Sequence, residues 1–186
     1  LDDAVADWLA ELGTHRGAYR IGLEGLRSEE VVSLATDALG ADPEDAAVAE
    51  RVWAMSEGQP LFATELLRDV RRGVGVTQLP ATVASLVRTR VDRLPIGVSR
   101  LVSAGAALGQ EFDLRVAAAV AELDTDRALD SVDTALGAEL IHELEGRPDR
   151  FRFSHQLVPA AVLDAMTGAR RVRLHGAIVH ELEAND

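Results

Sequence analysis

Residues 140–158 run Leu-Ile-His-Glu-Leu-Glu-Gly-Arg-Pro-Asp-Arg-Phe-Arg-Phe-Ser-His-Gln-Leu-Val. Two short β-like runs, 140–144 and 151–154, flank the polar turn Glu145-Gly146-Arg147-Pro148-Asp149-Arg150, and the pattern predicts a two-stranded β-hairpin. Helical spacing resumes on both sides of it. Upstream, Val98, Leu101, Val102, Gly105 and Leu108 mark one short helix, Leu114, Ala117, Ala118 and Ala121 a second, and Ala128, Leu129, Val132, Ala135 and Leu136 a third that Gly137 stops. Downstream lie a helix over 158–166 and another over 170–183, on which Leu174, Ala177, Ile178 and Leu182 share a face.

From Pro95 onward, three helices followed by a hairpin outline a winged helix-turn-helix. That outline invites a DNA-binding reading, so the charges decide. Between Gln110 and Glu145 stand ten acids and only two arginines, Arg115 and Arg127, on the element that would have to enter the major groove. Recognition helices need the opposite sign. Arginine is concentrated instead at Arg147, Arg150, Arg152, Arg170, Arg171 and Arg173, which suits an acidic protein surface or a nucleotide better than a duplex.

Further upstream the chain reads as a bundle. Ser28 before Glu29 and Glu30 predicts a helix start, with Val31, Leu34, Ala35, Ala38 and Leu39 as its buried face up to Gly40. Asp42-Pro43 opens a helix running through Val48, Val52 and Met55 to Gly58, and Pro60 opens the next, with Leu61, Phe62, Leu66, Leu67 and Val70 on its core side. Residues 73–78 are the best linker candidate, and Pro80 begins a helix carrying Val83, Leu86, Val87, Val91 and Leu94. At the N-terminus a helix over 1–12 precedes Tyr19, Ile21 and Leu23, whose alternation predicts a short strand without a local partner. The expectation is a mainly α protein, a helical bundle followed by a winged-helix domain with a two-stranded β-hairpin.

Composition narrows the chemistry. The 186 residues are 47% hydrophobic, enough for a real core, and carry 19 basic against 31 acidic residues for a net charge of −12, which disfavours nucleic acid and anionic lipid. All 19 basic residues are arginine, so a phosphate-loop lysine, a Schiff-base lysine and a lysine general base are all excluded. The absence of cysteine removes thiol nucleophiles, disulfides and thiolate metal sites, and fits a cytoplasmic setting. No apolar run approaches the roughly 20 residues of a membrane helix. A first residue of Leu1 with no basic leader after it suggests a piece of a longer polypeptide.

Two short segments could carry function. Gly58-Gln59-Pro60-Leu61 lies between two amphipathic helices, where Gly permits close backbone approach and Pro presents a flat ring beside a helix N-terminus whose N–H groups favour anions. A purine could stack there, and an ordinary helix break would look the same. His155, where the second hairpin strand gives way to a helix, could donate to a phosphate or carboxylate, or could simply tie the strand end to the helix start. His175 and His180 are five apart and do not share a face as metal ligands would, His15 and His142 lack neighbours at ligand spacing, and no metal site is expected. No serine sits in a G-x-S-x-G setting, and acid pairs such as Glu29-Glu30 occupy helix starts, so catalysis has no candidate.

Taken in order, Gly-Gln-Pro-Leu-Phe-Ala-Thr-Glu-Leu-Leu (58–67), Leu-Pro-Ala-Thr-Val (79–83), Ala106-Ala107-Leu108-Gly109 with Phe112, Phe-Arg-Phe-Ser-His-Gln-Leu-Val (151–158) and Arg170-Arg171 with Leu174-His175 resemble the segment that follows the ATPase core in STAND signal-transduction NTPases, particularly large bacterial regulators of the LuxR or AfsR-like type and adenylate-cyclase-linked relatives. The resemblance implies that residues 1–24 end a nucleotide-binding domain, 25–94 form a helical lid, 95–166 the winged-helix domain, and 167–186 begin a helical sensor region. It implies that Gly58, Gln59 and Pro60 lie against the adenine and that His155 reads the β-phosphate of ADP, with Gln156 standing where relatives carry aspartate. On this view the chain is not itself an enzyme, having neither Walker segment, and binds no cofactor alone. ADP or ATP with Mg²⁺ belongs to the full-length protein, whose transcriptional or signalling output the module would regulate. The implied partners are the upstream nucleotide-binding domain and a downstream sensor or output domain, with neither DNA nor membrane bound directly. Self-association through the strand at 19–23 is also expected, and so is survival of the fold after His155→Ala. The alternatives are a DNA-binding winged-helix transcription factor fragment and a structural helical adaptor without nucleotide sensing.

Overall fold

A computed structural model describes residue 8 and residues 22–40, 43–76 and 79–184. Apart from Trp8, which is helical, the expected helix over 1–12 lies outside the described residues, as does most of the strand over 19–23; Gly22 and Leu23 have no regular structure. In order, the described elements are α1 (Ser28–Leu39), α2 (Pro43–Ser56), α3 (Pro60–Arg71), α4 (Ala81–Asp92), α5 (Ile96–Leu108), β1 (Glu111–Asp113), α6 (Leu114–Val120), α7 (Thr125–Gly137), β2 (Ile141–Leu144), β3 (Arg147–Phe153), α8 (Leu157–Asp164) and α9 (Gly168–Ala184). The protein is mainly helical with one small antiparallel sheet.

Helices α1 to α3 bury Val31, Ala35, Ala49, Val52, Ala63, Leu66 and Leu67 in a first core, which Val76 of the expected linker also enters. The start of α1 differs from expectation by one residue. Ser28 is already helical and Arg27 is the N-cap, its backbone N–H donating to Glu30 Oε2 at 2.8 Å. That hydrogen bond is the main reason the Glu30 carboxyl sits below its usual range.

The second core gathers Leu101, Val102, Phe112, Val132, Leu140, Ile141, Phe151, Phe153, Val158 and Val162, and α4 contributes Val87 and Val91 to it. Helix α4 thus packs against the residues that follow it as well as against α3. A small cluster of Phe62, Val83 and Leu157 joins α3, α4 and α8. Beside it Thr82 and Arg68 both donate to the buried carboxylate of Glu65, tying α3 to the first turn of α4.

The two-stranded hairpin is corrected to a three-stranded sheet of order β1-β3-β2. Strand β1 pairs with the free edge of β3, Phe112 opposite Phe151, and β2 pairs with the other edge, Ile141 opposite Phe153. Phe112 stacks on Phe151 at a ring distance of 6.0 Å and lies tilted against Phe153 at 5.4 Å, so one aromatic cluster secures the added strand. Gly105 makes room for it: a Cβ there would lie 2.9 Å from the Phe112 ring. The expected six-residue turn shrinks to Glu145-Gly146, because β3 already begins at Arg147 and Gly146 adopts φ +73°. Pro148 is tolerated in a central strand because β1 pairs only from Arg150 to Arg152.

Candidate functional site

The C-terminus of α2, the turn into α3 and the junction from β3 to α8 meet at one point. After Ser56 the chain turns through two left-handed residues, Glu57 at φ +49° and Gly58 at φ +76°. Gly58 is buried, and its carbonyl accepts from the Leu26 N–H at 2.6 Å. A Cβ on Gly58 would stand 2.2 Å from the Leu26 carbonyl oxygen, so the close approach anticipated for a glycine is made to the protein's own backbone. Gln59 caps α3 without a side-chain hydrogen bond, Pro60 is its first residue, and both are exposed. With no acid in its first turn, α3 leaves its positive dipole end uncompensated.

His155 reaches this turn from 99 positions away. Its Nε2 lies 2.6 Å from the Ser56 carbonyl oxygen, while its Nδ1 accepts from the Leu157 N–H at 3.0 Å. Since Nδ1 accepts, the ring proton is on Nε2 and is donated to Ser56. His155 is only 6% exposed, and its ring stands edge-on to Phe62, ring centres 4.4 Å apart. Glu57 Oε2 lies 3.8 Å from Nε2. Beside it the Gln156 amide donates to the Ala54 carbonyl.

The last turn of any α-helix leaves carbonyls without intrahelical partners. His155 and Gln156 cap two of them on α2. This gives Gln156 a physical reason to differ from aspartate, since a carboxylate cannot donate to Ala54 and would face the negative end of the helix dipole.

Of the residues singled out from sequence, Gln59 and His155 line one cleft, and Gly58 and Pro60 are the chain neighbours of Gln59. A cleft of about 480 Å³ opens alongside, lined by Gln59, Leu61, Phe62, Leu86, Arg90, His142 and His155. Arg90 donates to the Ala138 carbonyl. Sequence reasoning missed Ser56, whose contribution is a backbone carbonyl and so leaves no mark in residue type. It also missed the donor role of Gln156. Among the described residues no group of three potential metal ligands occurs, and no helix is long and apolar enough to cross a membrane.

The face expected to be hostile to DNA is exposed. Asp126, Asp130 and Asp133 lie on the solvent side of α7, and Arg127 is paired with Asp124 at 3.4 Å. Gel-shift titration at roughly 150 mM salt, where weak electrostatic contacts are screened, should give no sequence-dependent complex. Nanomolar binding to a preferred sequence would make the DNA-reader alternative the better one.

Comparison with protein-family models, curated proteins and solved structures returns no match for this chain.

Proposed function

We propose that the chain is the lid and winged-helix part of a STAND-type ATPase, a cytoplasmic regulatory module that couples ADP or ATP bound in an upstream core to signalling or transcriptional output. The proposed parts are the end of the nucleotide-binding domain (1–24), the lid (25–94), the winged-helix domain (95–166) and the start of a sensor region (167–186). The observation that carries this reading is that His155 meets the end of α2 directly before the Gly58-Gln59-Pro60 segment, its Nε2 being 2.6 Å from the Ser56 carbonyl that also accepts from the Gln59 N–H. The resemblance assigns these two motifs to the adenine and the β-phosphate of one nucleotide.

The exposed Pro60 and the start of α3, whose N-cap makes no side-chain hydrogen bond, suit an adenine and an anion respectively. A nucleotide would supply a phosphate acceptor, and the part played by this chain is to carry the donor. Because His155 already gives its proton to Ser56, reading a phosphate requires exchanging one acceptor for the other, so the histidine's preference between them biases resting against active states. A difference of about 1.5 to 3 kcal/mol changes their ratio roughly 10- to 150-fold. The purely structural adaptor is the second reading, and the engagement of both His155 nitrogens is the observation in its favour.

Alone, the chain offers a proline platform and one histidine, too little for micromolar affinity, which needs about −8 kcal/mol. Calorimetry with ADP and ATP should therefore give no dissociation constant below about 10 µM, and a tighter one would overturn the division of labour proposed here. In the protein carrying the nucleotide-binding core, Pro60→Ala should weaken ADP binding. Unchanged affinity would leave the adaptor reading.

A further inference from the structure

A second cleft, of about 450 Å³, lies between α5, the corner joining α6 to α7, and α9, and it touches neither Gly58 to Pro60 nor His155. It is lined by Arg100, Arg170 and Arg173, and by the hydroxyl-bearing Ser103 from α5. Val120 and Leu174 supply an apolar wall. In a chain of net charge −12, three cations around one small cavity are a marked local reversal of sign.

One carboxylate answers them. Glu122 holds Arg100 at 2.6 Å through Oε2 and Arg173 at 3.5 Å through Oε1, whereas Arg170 has no ion pair among the described residues. Glu122 occupies the position just past the end of α6 at φ +55°, where glycine is the usual residue, so its side chain is presented to the cleft by a backbone conformation that disfavours any side chain.

The placement of the arginines adds an independent argument. Arg170 and Arg171 lie in the first turn of α9, which contains no acid, and Arg173 follows in the next turn. Cations at a helix N-terminus stand at the positive end of the macrodipole, an arrangement unfavourable in an isolated helix and relieved by an anion placed among them.

We infer that this cleft binds a small phosphomonoester carrying an apolar body, whose dianion takes the place of the Glu122 carboxylate between Arg100 and Arg173 and engages Arg170 as a third cation. Planar guanidinium forks match phosphate oxygens two at a time, and the wall formed by Val120 and Leu174 receives the apolar part. Glu122 is then an internal competitor that keeps α9 docked when no ligand is present. The site does not depend on the nucleotide reading, and its failure would leave that reading untouched.

Phenyl phosphate is the probe, with phenol as the uncharged comparison, both followed by backbone amide NMR of the whole chain. Phenyl phosphate should shift resonances of α9 and of the residues around Glu122 with a dissociation constant on the order of 1 mM or tighter, and added salt should weaken it. Arg173→Ala and Arg170→Ala should each weaken binding about 10-fold. Glu122→Gln should tighten it several-fold, and so should Glu122→Gly, whose backbone accepts the left-handed conformation without strain and so guards against a folding defect. Asp130→Asn removes the same charge outside the cleft and should change little. The proposal is overturned if neither the native chain nor the two Glu122 variants bind phenyl phosphate, if phenol binds equally well, or if Asp130→Asn tightens binding as much as Glu122→Gln.

Discussion

Gly58→Ala should cost the protein about 3 to 5 kcal/mol, a large share of the roughly 5 to 15 kcal/mol that holds a typical domain together. Three effects act in the same direction. An alanine in the left-handed conformation at φ +76° is disfavoured by about 1 to 2 kcal/mol. Its Cβ would sit 2.2 Å from the Leu26 carbonyl oxygen and 3.0 Å from the Leu26 nitrogen, and these backbone atoms cannot swing aside as a side-chain tip could. Moving Leu26 away breaks its N–H bond to the Gly58 carbonyl and the bond from Trp53 Nε1 to the Leu26 carbonyl, each worth about 1 kcal/mol. Gly73→Ala is the internal comparison. Gly73 has nearly the same backbone angle, φ +78°, and a methyl group there would meet nothing within 4 Å, so only the conformational cost of about 1 to 2 kcal/mol remains. Urea denaturation of the two variants measures the difference. Equal losses would mean that the turn relaxes away from Leu26 and that the close approach contributes nothing.

Gly58 is legible in the sequence as a place where backbone comes close, and what approaches it is not. Glycine and proline at 58–60 announce an unusual turn, but residue types carry no information about Leu26, whose part is played by its peptide group. The same distinction runs through the fold. Helices with three or four apolar residues at regular spacing, such as α3 with Phe62, Leu66 and Leu67, can be read directly, because one buried stripe repeats over several turns. Strand β1 cannot. Glu111-Phe112-Asp113 is too short to show alternation, and it becomes a strand only because Phe112 finds Phe151 and Phe153 on a partner some forty residues later. Residues 145–150 read as all loop because they are polar, yet in a strand exposed on both faces polar residues are equally at home: Arg147 to Arg150 are exposed within β3. Helix α4 shows the reverse problem. Spacing marks Val83, Val87 and Val91 as one buried stripe, but a hydrophobic stripe does not name its partner, and Val87 and Val91 turn to the second core. At the candidate site the histidine itself stands out, whereas the identity of its acceptor depends on a contact across 99 positions.

His155→Ala should lower stability by about 2 to 4 kcal/mol, a cost that residue type alone does not announce in a fold expected to survive the change. His155 is 6% exposed and its ring packs against Phe62, so truncation opens a cavity where α3, α4 and α8 join. It also removes the donor to the Ser56 carbonyl and the acceptor for the Leu157 N–H. These losses are not equal. Ser56 keeps the Gln59 N–H as a second donor at 2.8 Å, while no other bond in the described structure serves the Leu157 N–H, which stands at the start of α8. Hydrogen exchange should accordingly accelerate first at the beginning of α8 and at the α2 end that His155 and Gln156 cap. His142→Ala, on an exposed position of β2, should change stability by less than about 0.5 kcal/mol. His155→Phe fills much of the volume and keeps the aromatic contact, so the part of the loss it fails to restore measures the two hydrogen bonds. The functional question then reduces to a ratio in the protein that carries the nucleotide-binding core. Under conditions where each variant is fully folded, a phosphate-reading histidine requires ADP affinity to fall in both His155→Ala and His155→Phe, since neither can donate. A histidine that only joins the two cores predicts the stability losses with ADP affinity unchanged, because Ser56, the one acceptor it would then serve, belongs to the protein itself.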